Sequence, residues 1–326
     1  MKTTADSKRW SIRARALLAG LLVASTAGAQ QATPADWLDR MAAAMGSTDY
    51  QGTVIRFQRG GSEALKVVHK IVDGVVNERV VSQEGNGLEI IRIGNDVHCI
   101  LPDKRSVLVE GWNNQSTLFS SLPRSEVSNT PQYNLSVLRE ERVAGRKAVL
   151  LAIRPHDEYR YGHRIWLDKD TAFPLQATTV NVNGELVQEV KFADIEIGHD
   201  IAPDQLKPSI SLDGFTWYKE PARYESVDVE TDWHCDDLPA GFRAVSTRTE
   251  KSASGTAGDT THIVYSDGVA NISVFIAAAT PDHAAGWALL GNANSYTTEN
   301  GGFSVTAVGE VPGVTVQRIA TSMQQR

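Results

Sequence analysis

The sequence predicts an α+β protein in which a large, curved antiparallel sheet precedes a smaller α+β domain. Three observations carry that reading. Apolar residues between Gly52 and Ile197 recur with a period of two, broken by short turn signals. No helical window separates those strands except the irregular stretch 113–131, so the βαβ pattern of a parallel sheet is missing. At 326 residues the chain is about twice a comfortable single-domain length, which favours two domains.

The first thirty residues read as an export signal. Lys2, Lys8, Arg9, Arg13 and Arg15 precede an apolar run at 16–24, and Ser25-Thr26-Ala27-Gly28-Ala29 supplies an A-x-A cleavage box. The apolar run is too short for a bilayer core of about 30 Å, which takes about twenty residues. Cleavage after Ala29 is expected, giving a mature chain that starts at Gln30 outside the cytoplasm. The net charge of −7 becomes more negative once those cations leave, and an acidic surface excludes a nucleic-acid groove. Cys99 and Cys235 then sit where a disulfide is permitted, and the sequence leaves open whether they form one. The pairs His98-Cys99 and His234-Cys235 do not make a metal centre, because neighbours on a strand point to opposite faces.

Thr33-Pro34-Ala35-Asp36 starts a helix: a hydroxyl cap, proline in the first turn and an early carboxylate. Trp37, Leu38, Met41 and Met45 follow at helical spacing, and Gly46 ends the pattern. Strands are then expected at 53–57, 65–71, 75–81, 88–93, 97–101, 107–109, 135–139, 148–153, 163–167, 175–182 and 186–195. Asp73-Gly74 and Asn183-Gly184 have the composition of type I′ hairpin turns. A curved sheet with few helices has a concave face too large for its own side chains to fill, so helices or a ligand must occupy it. Candidates for lining such a lipid cavity are Ile55, Phe57, Val67, Ile91, Trp166 and Phe192. Strand parity alone does not say which of them point inward, and a dry core is the alternative.

Residues 201–220 are richer in proline and polar groups and read as a connection. The second domain is expected to hold strands at 242–248, 262–266, 272–277 and 304–308, a Ser/Gly/Thr-rich loop at 251–259, and a closing helix with Val314, Ile319, Ala320 and Met323. The resulting division is a signal peptide at 1–29, a first domain at 30–205, a linker at 206–230 and a second domain at 231–326.

Catalytic signatures are missing. The chain has no G-x-S-x-G, H-E-x-x-H, Walker loop or G-x-G-x-x-G. His156 and His163 flank Asp157, Glu158 and Tyr159, which reads as a mixed-charge surface hairpin. Asp168-Lys169-Asp170 lacks the later glycine and glutamate of a calcium loop and reads as a turn. No catalytic residue, cofactor or metal is predicted, and the chain is not expected to be an enzyme.

Six collinear motifs carry a family resemblance. They are Ala35-Asp36-Trp37-Leu38 with Tyr50-Gln51-Gly52-Thr53-Val54; Tyr161-Gly162-His163-Arg164-Ile165-Trp166-Leu167-Asp168 running to Phe173-Pro174-Leu175; Phe215-Thr216-Trp217; Leu238-Pro239-Ala240-Gly241-Phe242; Tyr265-Ser266-Asp267-Gly268 with Ile272-Ser273-Val274-Phe275; and Val308-Gly309-Glu310-Val311-Pro312 with Arg318-Ile319-Ala320. Together they resemble the RseB/MucB family of periplasmic sigma-E regulators. The resemblance implies an unclosed antiparallel β-barrel with helices in its mouth, similar to lipoprotein carriers, plus a smaller C-terminal α+β domain. It also implies a job: binding the periplasmic region of a membrane-spanning anti-sigma factor and shielding it from site-1 proteolysis until lipid or lipopolysaccharide displaces the regulator. The runner-up is a periplasmic lipid or lipoprotein carrier, which has no need of a domain spanning Leu238 to Met323. The family supplies no short contact motif, so no partner-binding residue is assigned. Ser266-Asp267-Gly268 reads as a fingerprint turn rather than a contact. The oligomeric state is open, a homo-oligomer included.

Overall fold

The helix expected at the mature start is formed by Pro34–Met45 (α1). Its capping box closes as the sequence requires: the Asp36 amide donates to Thr33 Oγ1 at 3.2 Å, and the Thr33 amide donates to Asp36 Oδ2 at 2.8 Å. Trp37, Leu38, Met41, Ala44 and Met45 are its buried stripe. In this computed structural model the described residues are 32–85, 87–111, 118–119, 122–219, 227–228, 231–250, 259–280 and 285–326. The export signal, nearly all of the expected loop at 251–259, and parts of the stretch 113–131 and of the linker lie outside them.

The first domain continues with β1 (Tyr50–Gln58), β2 (Gly61–Val72), β3 (Val75–Ser82), β4 (Glu89–Ile93), β5 (Asp96–Leu101), β6 (Ser106–Gly111), β7 (Tyr133–Val143), β8 (Arg146–Pro155), β9 (Gly162–Asp168), β10 (Pro174–Val180), β11 (Leu186–Ile197) and β12 (Thr216–Lys219). They make one 12-stranded sheet in the order β12-β6-β5-β4-β3-β2-β1-β11-β10-β9-β8-β7, open at both edges. Two antiparallel meanders are thus joined along β1 and β11. The Asp73-Gly74 turn has positive φ at both residues, as type I′ demands. At the other expected type I′ turn the structure differs. Among its residues Gly184 alone has positive φ, and the Asn181 side chain accepts from the Asn183 and Glu185 amides. That side chain holds a type I turn with glycine after it, and the register shifts by one residue between Thr179 and Val180.

The second domain holds β13 (Val227–Asp228), β14 (Trp233–Cys235), β15 (Arg243–Glu250), β16 (Thr260–Ser266), β17 (Asn271–Ala278), β18 (Gly286–Leu290), β19 (Ala293–Asn300), β20 (Phe303–Gly309), α2 (Gly313–Ser322) and β21 (Met323–Gln325). Its main sheet runs β13-β15-β16-β17-β20-β19-β18, and β14 pairs with β21. Val274, Ile276, Val305 and Ala307 of the sheet share a core with Val316, Ile319 and Ala320 of α2. Five of these strands were not expected: the short β13, β14 and β21, and the longer β18 and β19. β18 and β19 carry little apolar alternation, and β19 is mostly hydroxyl and amide side chains. Met323 ends the helix and belongs to β21, where its side chain stays in the same core.

The two sheet faces of the first domain differ. On one, Tyr50 stacks on His69 at 4.7 Å and packs with Phe173 at 4.6 Å and Phe192 at 5.8 Å, and Phe119 joins the cluster. Inside it His69 Nδ1 and Glu78 Oε2 are 2.9 Å apart, both side chains buried. On the other face Ile91, Ile100 and Val107 form a small core covered by Leu212 and Phe215. The chain from Ile201 to Lys219 is therefore tied to the first sheet. Ser209 donates from its amide and hydroxyl to Glu89, and β12 adds to β6 in parallel. Thr33–Arg326 forms one compact unit, so the domains are packed against each other.

At Gly52, beside the irregularity between Thr53 and Val54, β1 lies close against β11. A β-carbon there would stand 2.3 Å from the Asp194 carbonyl oxygen, a backbone atom that yields only with the strand. Gly52→Ala is expected to destabilise the first domain by about 2 kcal/mol or more, through overpacking at the seam of the two meanders. Thermal unfolding checks it, and an unchanged midpoint contradicts the tight seam.

Candidate functional site

Between β8 and β9 the chain turns through Asp157–Tyr161, held by the His156 amide on the Gln132 carbonyl (2.9 Å) and the Tyr159 amide on Asp157 Oδ1 (3.0 Å). This turn carries Arg160, whose side chain is fully buried. Its Nε donates to Asp267 Oδ2 at 2.7 Å, and its two terminal nitrogens donate to Asp157 and to the Ala240 carbonyl. The guanidinium lies over the Phe242 ring at 4.8 Å and near Tyr133 at 5.7 Å. Asp267, Ala240 and Phe242 belong to the second domain, so this arginine spans the junction.

Asp267 is equally enclosed. Its Oδ2 accepts from Arg160 and from the Tyr133 hydroxyl (2.8 Å), and its Oδ1 accepts from the Val269 and Ala270 amides (2.9 and 2.8 Å). Four donors satisfy one buried carboxyl group, as a polar group withdrawn from water requires. Gly268 has φ +92, the backbone conformation that lets those two amides turn back on the side chain. Burial, with Asp267 alongside, holds the Tyr133 phenol far above its ordinary pKa, so it stays a donor.

Two further contacts flank the pair. From α2, Thr315 Oγ1 donates to the Tyr159 carbonyl at 2.8 Å, and Arg318 lies 4.7 Å over the Tyr159 ring while donating to its hydroxyl. On the other side, Arg59 donates to Asn292 and Asn294, Asn292 donates to Gln188, and Asn294 donates to Tyr161. Between these bridges lies a cavity of about 670 Å³ with walls from both domains, including Arg56, Tyr133, His163 and Val190 from the first and Asn271 and Glu310 from the second. Burial pushes the His163 imidazole down to about 4, against the opposing pull of Asp267. Burial pushes Glu310 upward, partly offset by a hydrogen bond with Gln188. The lining is mostly polar.

The family model described as the MucB/RseB N-terminal domain matches residues 33–210, and that of the MucB/RseB C-terminal domain matches 227–324. The chain belongs to the MucB/RseB family. Among curated relatives it is 32% identical, over 320 residues, to the sigma factor AlgU regulatory protein MucB of Pseudomonas aeruginosa, covering 94% of this chain and 96% of that one. It is 24% identical over 302 residues to the sigma-E factor regulatory protein RseB of Escherichia coli K12, covering 90% and 92%. Among solved structures it resembles the complex of Pseudomonas aeruginosa MucA/MucB with TM-score 0.69 and 29% identity, over 90% of this chain and 99% of that one. MucB in complex with MucA(peri) matches with TM-score 0.68, 28% identity and the same coverage.

In this member of the family the six residues considered for a lipid cavity fall on two faces. Val67 pairs across from Gly52, and Phe192 from Val54, so both share the face of Tyr50 and the aromatic cluster; both are fully buried. Ile55 pairs with Lys191, Lys191 with Gln176, and Gln176 with Trp166, which puts Ile55, Phe57 and Trp166 on the opposite face. Ile55 and Phe57 are exposed there, and the Trp166 indole donates to Glu141 at 2.5 Å. Ile91 shares that face, in the small core under Leu212 and Phe215. None of the six lines the junction cavity. Asp267 of the turn Ser266-Asp267-Gly268 and Asp157 both meet Arg160 within the chain, a juxtaposition that the sequence reading did not include. Asp168 does cap a turn, accepting from the Asp170 and Thr171 amides while paired with Arg146. Cys99 and Cys235 are both free thiols.

His163 makes a pH prediction. Its folded pKa lies below the unfolded value near 6.5, so the unfolded chain binds the proton first and stability falls as pH drops from about 6.5 toward 4. The loss is at most about 3 kcal/mol. His163→Gln is expected to flatten that part of the stability–pH curve, measured by denaturant unfolding at a series of pH values; an identical slope in the variant removes His163 as its cause.

Proposed function

We propose that this chain is a periplasmic negative regulator of an envelope-stress sigma factor. It binds the periplasmic region of a membrane-spanning anti-sigma factor and shields it from site-1 proteolysis until lipid or lipopolysaccharide releases it. The observation that carries this reading is the likeness through both domains, over 90% of the chain, to MucB as solved with MucA(peri). Relatives named as sigma factor regulatory proteins support a regulatory rather than catalytic role. The domain roles proposed are a signal peptide at 1–29, a lipid-sensing first domain at 30–205, a linker at 206–230 and a partner-binding second domain at 231–326. The alternative, a lipid or lipoprotein carrier, leaves unexplained why the second domain is joined to the first by a fully enclosed ion pair.

Lipid sensing is proposed for the face that carries Val67 and Phe192 and opens into the junction cavity. An acyl chain gains about 0.8 kcal/mol for each CH₂ it buries against the apolar part of the wall, Leu118, Leu122, Val190 and Val269, and the polar remainder faces the headgroup.

Two experiments follow. Purification of the protein from envelope extract is expected to bring down a single-span anti-sigma factor, and adding lipopolysaccharide to release it; recovery of the protein alone contradicts the regulatory reading. Delipidated protein is expected to take up a fluorescent fatty acid, with Val190→Asp at the cavity wall weakening uptake at least tenfold. Ile55→Asp, on the opposite face, should leave uptake within about twofold. The reverse order places the lipid on the other face.

A further inference from the structure

The junction holds its charges in an unusual division. Arg160 takes one carboxylate from its own domain, Asp157, and one from the other, Asp267. Asp267 takes two amides from its own turn and two donors, Arg160 and Tyr133, from the other domain. In the closed arrangement every one of these groups is satisfied without water. If the domains part, Arg160 retains Asp157, Asp267 retains its two turn amides, and water supplies the rest. Both arrangements are therefore chemically complete, while a half-open junction strands buried charges with neither partner nor solvent. Such an element is bistable rather than continuously deformable. A buried ion pair suits this role because desolvation cancels much of its net stabilisation while its geometry stays demanding.

Tyr133 ties the element to the cavity. Its hydroxyl donates to Asp267, and the same side chain lines the space between the domains. The turn after Asp267 also borders that space, through Gly268, Val269, Ala270 and Asn271. A molecule wedged into the cavity thus presses on one donor to the buried carboxylate and on the turn that presents it.

We propose that the Arg160–Asp267 pair is a conformational latch between the two domains, released through Tyr133 when the junction cavity is filled. The closed arrangement is the one that binds the partner, a clause that rests on the function proposed above. A ligand shifts the equilibrium because it fits the open junction better than the closed one.

The test uses the full mature chain. Small-angle X-ray scattering reports the domain arrangement, and titration of a labelled anti-sigma periplasmic segment reports affinity, each with and without purified lipopolysaccharide. Asp267→Asn is expected to expand the scattering envelope and weaken partner binding at least tenfold, with both domains still folded by circular dichroism. Tyr133→Phe is expected to bind the partner within about threefold of wild type but to need several-fold more lipopolysaccharide for release. If Asp267→Asn does not fold, Arg160→Met/Asp267→Leu replaces it, since that pair strands neither charge; it should fold, stay closed and lose the lipopolysaccharide response. An Asp267→Asn scattering profile identical to wild type overturns the latch, whatever the partner does. An open variant with unchanged affinity overturns the coupling to partner binding. A wild-type chain that ignores the segment overturns the regulatory reading alone, because scattering with and without lipopolysaccharide still tests the latch.

Discussion

One buried guanidinium organises the junction of this protein. Arg160 cannot sit without solvent unless its donors are used, and satisfying them recruits a carboxylate and a carbonyl from the second domain and a carboxylate from its own turn. Each recruited group brings its own requirement. Asp267 needs further donors, hence Tyr133 and the amides that Gly268 turns toward it. Gly241, beside the carbonyl that Arg160 uses, has φ +90, a backbone conformation that residues with a β-carbon rarely adopt. The motif from Leu238 to Phe242 and the turn Ser266-Asp267-Gly268 are thus two parts of one solution to a desolvation problem.

The other contacts across the junction have a different character. Arg59, Gln188, Asn292 and Asn294 join the domains through amides and one exposed-edge cation. Neutral amides exchange a protein partner for water at little net cost, so this side yields gradually. The charged side does not. The connecting segment is not a passive tether as far as Lys219: Ser209, Leu212, Phe215 and β12 bind it to the first sheet. The stretch 201–220, which reads as a connection in the sequence, is as far as Lys219 part of the body of the first domain.

What could be read from the sequence was local. The α1 cap needed only Thr33, Pro34 and Asp36, three neighbours whose chemistry acts within one turn. The meander followed from period-two patterning and from turns such as Asp73-Gly74. Which face Trp166 or Ile91 takes was not local, because it depends on registers carried across several strands and on irregularities such as that between Pro174 and Gln176. β18 and β19 escaped because their side chains are mainly polar or exposed, and the pairing with β20 places them. The junction escaped for a further reason. Asp157 and Asp267 look like ordinary surface carboxylates until the fold brings both to Arg160, and no spacing along the chain encodes that meeting.

The order of strands in the first sheet also sets a schedule. β1 pairs with β2 after a two-residue turn, yet its other neighbour, β11, lies about 140 residues further along. Each meander can assemble from near neighbours, but the pairing that unites them waits until the end of β11 has been synthesised. Until then β1 is a bare edge with apolar side chains on both faces, the kind of surface that pairs with the wrong chain. A newly made molecule therefore passes through a stage in which its first strand must be kept from strangers, and the closing of β11 onto β1 is the pairing in that sheet with the largest separation along the chain.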